Sequence, residues 1–212
     1  AETVVNENVY LAQLAKMGKP LDKIVVSVPS GNFGNITAGL IGKRMGLPIS
    51  RFIAANNKND IVYQYLNTGV YSPRPSIATI ANAMDVGDPS NFARILDLYQ
   101  NSHSKISSEI SGFTYTDEQI AETLADTYKK TGYLLDPHGA VGYRSLLEGL
   151  KPDEIGVFLE TAHPAKFKET VELIINAKVS IPAKLAAFMK GTKSTIKMTA
   201  SFNAFKKFLM NE

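Results

Sequence analysis

The chain has 212 residues, 23 basic and 20 acidic side chains, a net charge of +3 and 44% hydrophobic content, the composition of a folded globule of one domain, with or without an appendage. The basic residues are scattered, which excludes the dense positive stripe that nucleic-acid binding needs. Absence of cysteine excludes disulfides, thiolate nucleophiles and cysteine metal sites, and His103, His138 and His163 share no ligand spacing, so no metal site is expected.

No apolar run approaches the roughly 20 residues that cross a bilayer. Ala1 to Asn6 lacks the basic and apolar pattern of a signal peptide, so the expectation is a soluble, cytoplasmic protein without a membrane partner. Four short apolar runs then suit strands covered on both faces: Ile24 to Val28, Ile49 to Ala54, Tyr133 to Leu135, and Ile155 to Leu159. Asn35 to Met45 reads as a helix, with Gly39 and Gly42 allowing close packing on the sheet. Tyr71 to Pro89 carries Pro73, Pro75, Gly87 and Pro89 and reads as a long ordered loop or short helices.

Thr116 to Gln119 is a capping-box pattern, followed by Ile120, Leu124 and Tyr128 at helical spacing and a stop at Gly132. Asp136-Pro137 and His163-Pro164 each open another helix, the second with Phe167, Val171, Ile174 and Ile175 inward. After Pro182 come two short amphipathic helices, the last with Phe202, Phe205 and Leu209 on one stripe, separated by a linker at Lys190 to Thr199 expected to be mobile. The pattern predicts an α/β fold with a mostly parallel sheet flanked by helices over residues 1–178, and a C-terminal helical appendage over 179–212.

The most informative stretch is Val28-Pro29-Ser30-Gly31-Asn32-Phe33-Gly34-Asn35, between a strand and a helix. Two glycines three apart let main-chain amides turn inward, where they meet the positive end of the following helix; Ser30, Asn32 and Asn35 bring further donors. This is the pattern of an anion site, and also that of a plain strand-to-helix turn. It is neither a nucleotide-triphosphate loop nor a dinucleotide fingerprint, for it lacks Gly-Lys-Ser/Thr, the third glycine and a ribose-binding acid.

Ser30-Gly31-Asn32-Phe33-Gly34-Asn35 resembles the phosphate-cradling loop of the threonine synthases, pyridoxal-phosphate enzymes of the tryptophan synthase β-like fold. In order follow Phe52 to Asn56 with Asn59-Asp60, Ser72-Pro73, Asn82 to Val86 with Pro89-Ser90-Asn91, Asp136 to Ala140, and Thr161 to Phe167. The resemblance runs over about Lys19 to Lys178. It implies part of a fold type II large domain, with the cofactor phosphate held by Gly31, Asn32, Phe33, Gly34 and Asn35 and the pyridine nitrogen faced by Thr161. Read alone, Thr161 before His163-Pro164 also fits a helix cap. The implied reaction converts O-phospho-L-homoserine and water to L-threonine and phosphate.

That substrate carries a second phosphate, for which Lys166 and Arg74 are candidates; each also reads as a plain surface charge. His138 is placed to shuttle a proton or simply to pack at its helix start. The family's Schiff-base lysine sits in a Ser-Phe-Lys-Asp context, which none of Lys16, Lys19 and Lys23 has. The resemblance therefore implies about the C-terminal half of such an enzyme. The half that carries the lysine is the expected partner, this chain alone is expected to be inactive with no catalytic residue of its own, and an apolar docking surface is expected. Two other readings are a non-catalytic phosphate-binding or regulatory module of the same fold, and a cofactor-free α/β enzyme acting on a phosphorylated substrate.

Overall fold

A computed structural model describes residues 23–210 together with Lys16 and Gly18; the remaining N-terminal residues, Lys19 among them, lie outside the described residues. Four parallel strands, β1 (Ile24–Pro29), β2 (Ile49–Asn56), β3 (Ile110–Thr114) and β4 (Ile155–Phe158), form one sheet in the order β3-β2-β1-β4. In β1 every residue is buried. Ile24, Val26 and Val28 enter one core with Phe52 of β2 and with Ile36 and Leu40 of helix α1 (Gly34–Arg44). The same core takes Val62 and Tyr65 of α2 (Ile61–Thr68), Phe92 and Ile95 of α3 (Phe92–Leu98) and Ile106 of α4 (His103–Glu109). Val25, alternating with these, joins Ile53 and Leu146 in a second cluster. Period-two alternation into two separate apolar clusters is what a sheet covered on both faces requires, and it explains the unbroken apolar runs.

The other helices follow from local chemistry. Helix α5 (Asp117–Thr131) starts with a reciprocal capping box between Thr116 and Gln119 and ends at Gly132, φ 74°, whose N–H returns to the Tyr128 carbonyl at 2.8 Å. Helix α6 (Pro137–Gly149) opens on Asp136, whose carboxylate accepts the His138 N–H at 2.8 Å. A 3₁₀ turn (Pro164–Phe167), capped by His163 Nδ1 accepting the Ala165 N–H, runs into α7 (Lys168–Ile175). The cap thus falls on His163 and not on Thr161.

One sequence expectation needs correction. Tyr133 to Leu135 is no strand. Only three residues separate the helix stop at Gly132 from the helix cap at Asp136, and Leu135 spends its apolar surface on the cluster of Ile120, Leu124 and Val141. The third strand is instead Ile110 to Thr114, where Ser111 and Gly112 break any apolar run and pairing with β2 supplies the order.

The chain divides into two compact units, the first ending at Val179 and the second beginning at Ser180. The second holds α8 (Ala183–Met189) and α9 (Phe202–Met210), joined by residues 192–199 without helix or strand. Among the described residues no helix is long and apolar enough to cross a membrane, and no cluster of His, Cys, Asp and Glu is arranged to hold a metal.

Candidate functional site

Because the sheet is parallel, the C-terminal ends of all four strands share one edge, the edge at which open α/β sheets collect ligands. The turn from β1 into α1 lies there. Ser30 is fixed at its base: its N–H donates to the Ala55 carbonyl at 2.8 Å and its hydroxyl to the Val28 carbonyl at 2.8 Å, so that hydroxyl is already engaged. Asn56 Nδ2 donates to the Ser30 carbonyl at 2.9 Å. Phe33 sits in the left-handed region, φ 61° and ψ 20°, with its ring buried in the core. For a non-glycine residue that conformation is uncommon and must be held by its surroundings.

Asn32 is the clamp. Its Oδ1 accepts from the Ser90 N–H at 2.7 Å and hydroxyl at 3.0 Å, and its carbonyl accepts from Asn91 Nδ2 at 2.9 Å. Gly31 lies so close to the chain at Met84 that a Cβ there would come within 2.6 Å of the Met84 Cα. The loop from Tyr71 to Pro89, with a 3₁₀ turn at Asn82–Met84, thereby forms the wall of the turn. It is itself pinned by a buried network in which Asn57 and Asn59 amides and the Thr79 hydroxyl donate to Asp85.

Held in this way, the main-chain N–H groups of Gly31, Asn32, Phe33 and Gly34 have no hydrogen-bond acceptor among the described residues. They lead into the first turn of α1, which Gly34 opens and whose unsatisfied amides add a positive partial charge. Bare donors, a glycine where only glycine fits, and a helix N-terminus suit a phosphate dianion. Asn35 is the second residue of that helix, beside them.

Thr161 follows β4, the neighbour of β1. Ser27 pairs with Phe158 and the Leu159 N–H donates to the Ser27 carbonyl at 3.0 Å, so exposed Thr161 leaves the sheet at the same edge as the turn. Glu160, directly before it, is a residue that sequence reasoning passed over. Its Oε1 accepts the Asp136 N–H at 2.9 Å, and burial, followed by the neighbouring Asp136 carboxyl, pushes its pKa up to about 8. Burial works against ionisation of Asp136 as well, but hydrogen bonds with His138 and Glu160 outweigh it and lower that carboxyl's pKa. A glutamate that directly prolongs an apolar strand run was the available signal.

His138 is 2% exposed. The Ala83 N–H donates to its Nε2 at 3.1 Å, which places the ring proton on Nδ1, facing Asp136 Oδ1 at 2.5 Å. Both nitrogens are thus engaged by structural partners, with the Phe167 ring 4.7 Å away. Of the two candidate cations, Arg74 donates from Nη2 to Asp60 and to the Lys58 carbonyl. Exposed Lys166 lies 5.5 Å over the Phe167 ring.

Comparisons with known proteins bear on this edge. The family described as pyridoxal-phosphate dependent enzyme matches residues 2–160, and that described as threonine synthase, C-terminal, matches 139–209. The threonine synthase of Escherichia coli (strain K12) is 43% identical over 190 residues, covering 90% of this chain and 44% of that protein. The one from Haemophilus influenzae is 47% identical over 175 residues, covering 82% and 40%. A crystal structure of pyridoxal-phosphate-bound threonine synthase from Brucella melitensis superposes with a TM-score of 0.83 at 31% identity, over 98% of this chain and 50% of that one. The chain spans about half the length of the curated relatives it matches. With three quarters of its residues inside the first of those matches, the chain belongs to the pyridoxal-phosphate-dependent enzyme family, and within it is similar to the C-terminal half of threonine synthases.

Proposed function

We propose that this chain is the portion of a threonine-synthase enzyme that holds the cofactor's phosphate and faces its ring nitrogen, the whole enzyme converting O-phospho-L-homoserine and water to L-threonine and phosphate. The observation that carries the reading is the row of unpaired amides from Gly31 to Gly34, on the strand edge that Thr161 shares. In this reading those amides and Asn35 bind the phosphate of pyridoxal phosphate. When bound, the cofactor supplies the electron sink that lets bonds at the substrate's β and γ carbons be broken and remade.

The chain's own residues bind and orient. The Thr161 hydroxyl donates to the pyridine nitrogen without bringing a negative charge, and so favours the unprotonated ring, whereas a carboxylate there would favour the protonated one. Asn32, clamped by Ser90 and Asn91, keeps the cradle formed before the phosphate arrives, which lowers the ordering cost of binding. Lys166 and Arg74 are the proposed contacts for the substrate's phosphate; Arg74 reaches it with the guanidinium nitrogens that Asp60 and Lys58 leave free.

Turnover also needs the lysine that anchors the cofactor, and no Ser-Phe-Lys-Asp occurs in these 212 residues. The lysine-bearing half is therefore a required partner, and the chain by itself is expected to release no phosphate from O-phospho-L-homoserine. The reading is tested with inorganic phosphate and pyridoxal phosphate at constant ionic strength. Both should raise the melting temperature by mass action on the folded state, and Gly31→Val should remove the rise. No rise with the unaltered chain would overturn the phosphate cradle. Phosphate release by the purified chain alone would overturn the division of labour. A rise with phosphate but none with pyridoxal phosphate would favour the second reading, a phosphate-binding module that does no pyridoxal chemistry.

A further inference from the structure

The acid pair behind Thr161 carries an inference that rests on the proposed cofactor site and deepens it. Asp136 is fully buried, and its Oδ1 takes both the ring and the main-chain N–H of His138. Glu160 Oε1 takes the Asp136 N–H. The remaining oxygens, Asp136 Oδ2 and Glu160 Oε2, are buried and have no partner. Two adjacent buried carboxylates with one orphaned oxygen each can be satisfied by a single proton between them.

We infer that Glu160 is a neutral carboxylic acid donating its proton to Asp136, and that this bond is a positioning device for Thr161. Through it the residue before Thr161 is tied to the first turn of α6. His138, the second residue of α6, is tied in turn to Ala83, and the chain at Ala83 and Met84 packs against Gly31. One continuous chain of contacts, polar from Glu160 to Ala83 and close main-chain packing from there to Gly31, therefore sets the spacing between the ring-nitrogen end and the phosphate end of the proposed site. The carboxyl of Glu160 also lies close against α6 at Gly139, where any Cβ would strike it. The titratable groups around Glu160 are Asp136 and His138 on the α6 side, and Tyr133 and Tyr143, which line with it a cavity of about 500 Å³; among the described residues no lysine or arginine lines that cavity.

Burial and Asp136 raise the Glu160 pKa from 4.5 to about 8. The folded chain thus holds an extra proton between those values, and this contribution to stability is lost as the pH rises through about 8. Glu160→Gln replaces the acid with an amide that donates to Asp136 at every pH. Between pH 5.5 and 9 the unaltered chain should lose on the order of 5 °C in melting temperature beyond any loss in Glu160→Gln. Parallel profiles for the two proteins would overturn the shared proton. The positioning role is read at pH 6.5 from the rise in melting temperature with pyridoxal phosphate, which spans both ends of the site. Glu160→Gln should keep that rise and Glu160→Ala should reduce it at least threefold. An undiminished rise in Glu160→Ala would overturn positioning; if Glu160→Ala does not fold, Glu160→Gln decides by keeping the rise or losing it. Failure of the unaltered chain to respond to phosphate would overturn the cofactor site itself, while the pH profiles still decide the state of Glu160.

Discussion

Strand β4 ends in a glutamate on either side, and the two behave in opposite ways. Glu154, just before the strand, meets Arg51 of β2 in a two-pronged pair, Nε to Oε1 at 2.8 Å and Nη2 to Oε2 at 2.6 Å. Arg51 also reaches the Ser111 hydroxyl and the Gly149 carbonyl. The pair with Arg51 pulls the Glu154 pKa down to about 2. Glu160, past the other end, is buried beside a second carboxyl, and burial first and that carboxyl second push it up to about 8. Residue type is the same; deep burial beside a like charge raises one, and the Arg51 guanidinium lowers the other. The contrast separates two jobs: the edge where strands begin is closed by satisfied charges, while the edge where they end keeps bare amides and a shared proton.

The largest expected effect breaks the closed edge. Arg51→Ala would leave Glu154 with only the Lys151 N–H and would strip donors from Ser111 and Gly149. A loss of about 3 kcal/mol in urea unfolding at pH 7 is expected, in the range for removing one partner of a buried pair. The melting shift with phosphate should survive in the variant. If it vanished, the two edges would not be independent.

Gly31→Ala comes next, at the open edge. Its new Cβ would meet main-chain atoms of Met84 and Ala83 at 2.6 and 3.1 Å, atoms that cannot rotate away. About 2–3 kcal/mol of stability should be lost, in the upper part of the usual range for single substitutions. The response to phosphate should go with it, the reverse of the Arg51 result.

The pH dependence sharpens the same contrast. Glu154's folded value near 2 lies below its ordinary 4.5. Its stabilisation is therefore complete above pH 4.5 and is lost as the pH falls through 2. After allowance for screening by nearby solvent it is about 2 kcal/mol. Glu154→Gln should flatten that acid limb of a stability profile and leave the alkaline limb assigned to Glu160 unchanged. A variant that moved both limbs would join the two ends of β4 into one electrostatic unit.

How much of this was legible beforehand follows the range of the interactions. The Thr116–Gln119 box, the Asp136 cap and the Gly132 stop are signals within four residues, and each forms as the spacing implies. The proposal of an anion loop after β1 rests on equally local signals, two glycines, a strand and a helix within a dozen residues. Strand β3 was not legible in this way, since Ser111 and Gly112 acquire their order from β2, some sixty residues earlier in the chain. Glu160 read as one acid among twenty, because Asp136, which changes its protonation, is 24 residues away. The clamp on Asn32 was hidden for the same reason: Ser90 and Asn91 matched a motif, but nothing local tied them to the loop they hold.

That clamp gives the smallest and most discriminating effect. Asn91 Nδ2 donates to the Asn32 carbonyl, while its Oδ1 accepts from Arg94 Nη1 at 3.0 Å. Asn91→Ala removes both of these exposed side-chain bonds, so about 1 kcal/mol of stability should be lost. The Asn32 carbonyl, however, belongs to the peptide whose N–H is that of Phe33, the residue held left-handed at φ 61°. Freed on one side, that peptide can rotate and turn the Phe33 amide away from the cradle. Phosphate should then bind several-fold more weakly, a loss out of proportion to the change in folding. Titrations of phosphate against melting temperature would show it as a rightward shift with the plateau retained. An unshifted titration would mean that Phe33 holds its conformation through its buried ring alone, and that the open edge is preorganised by the core and not by the loop above it.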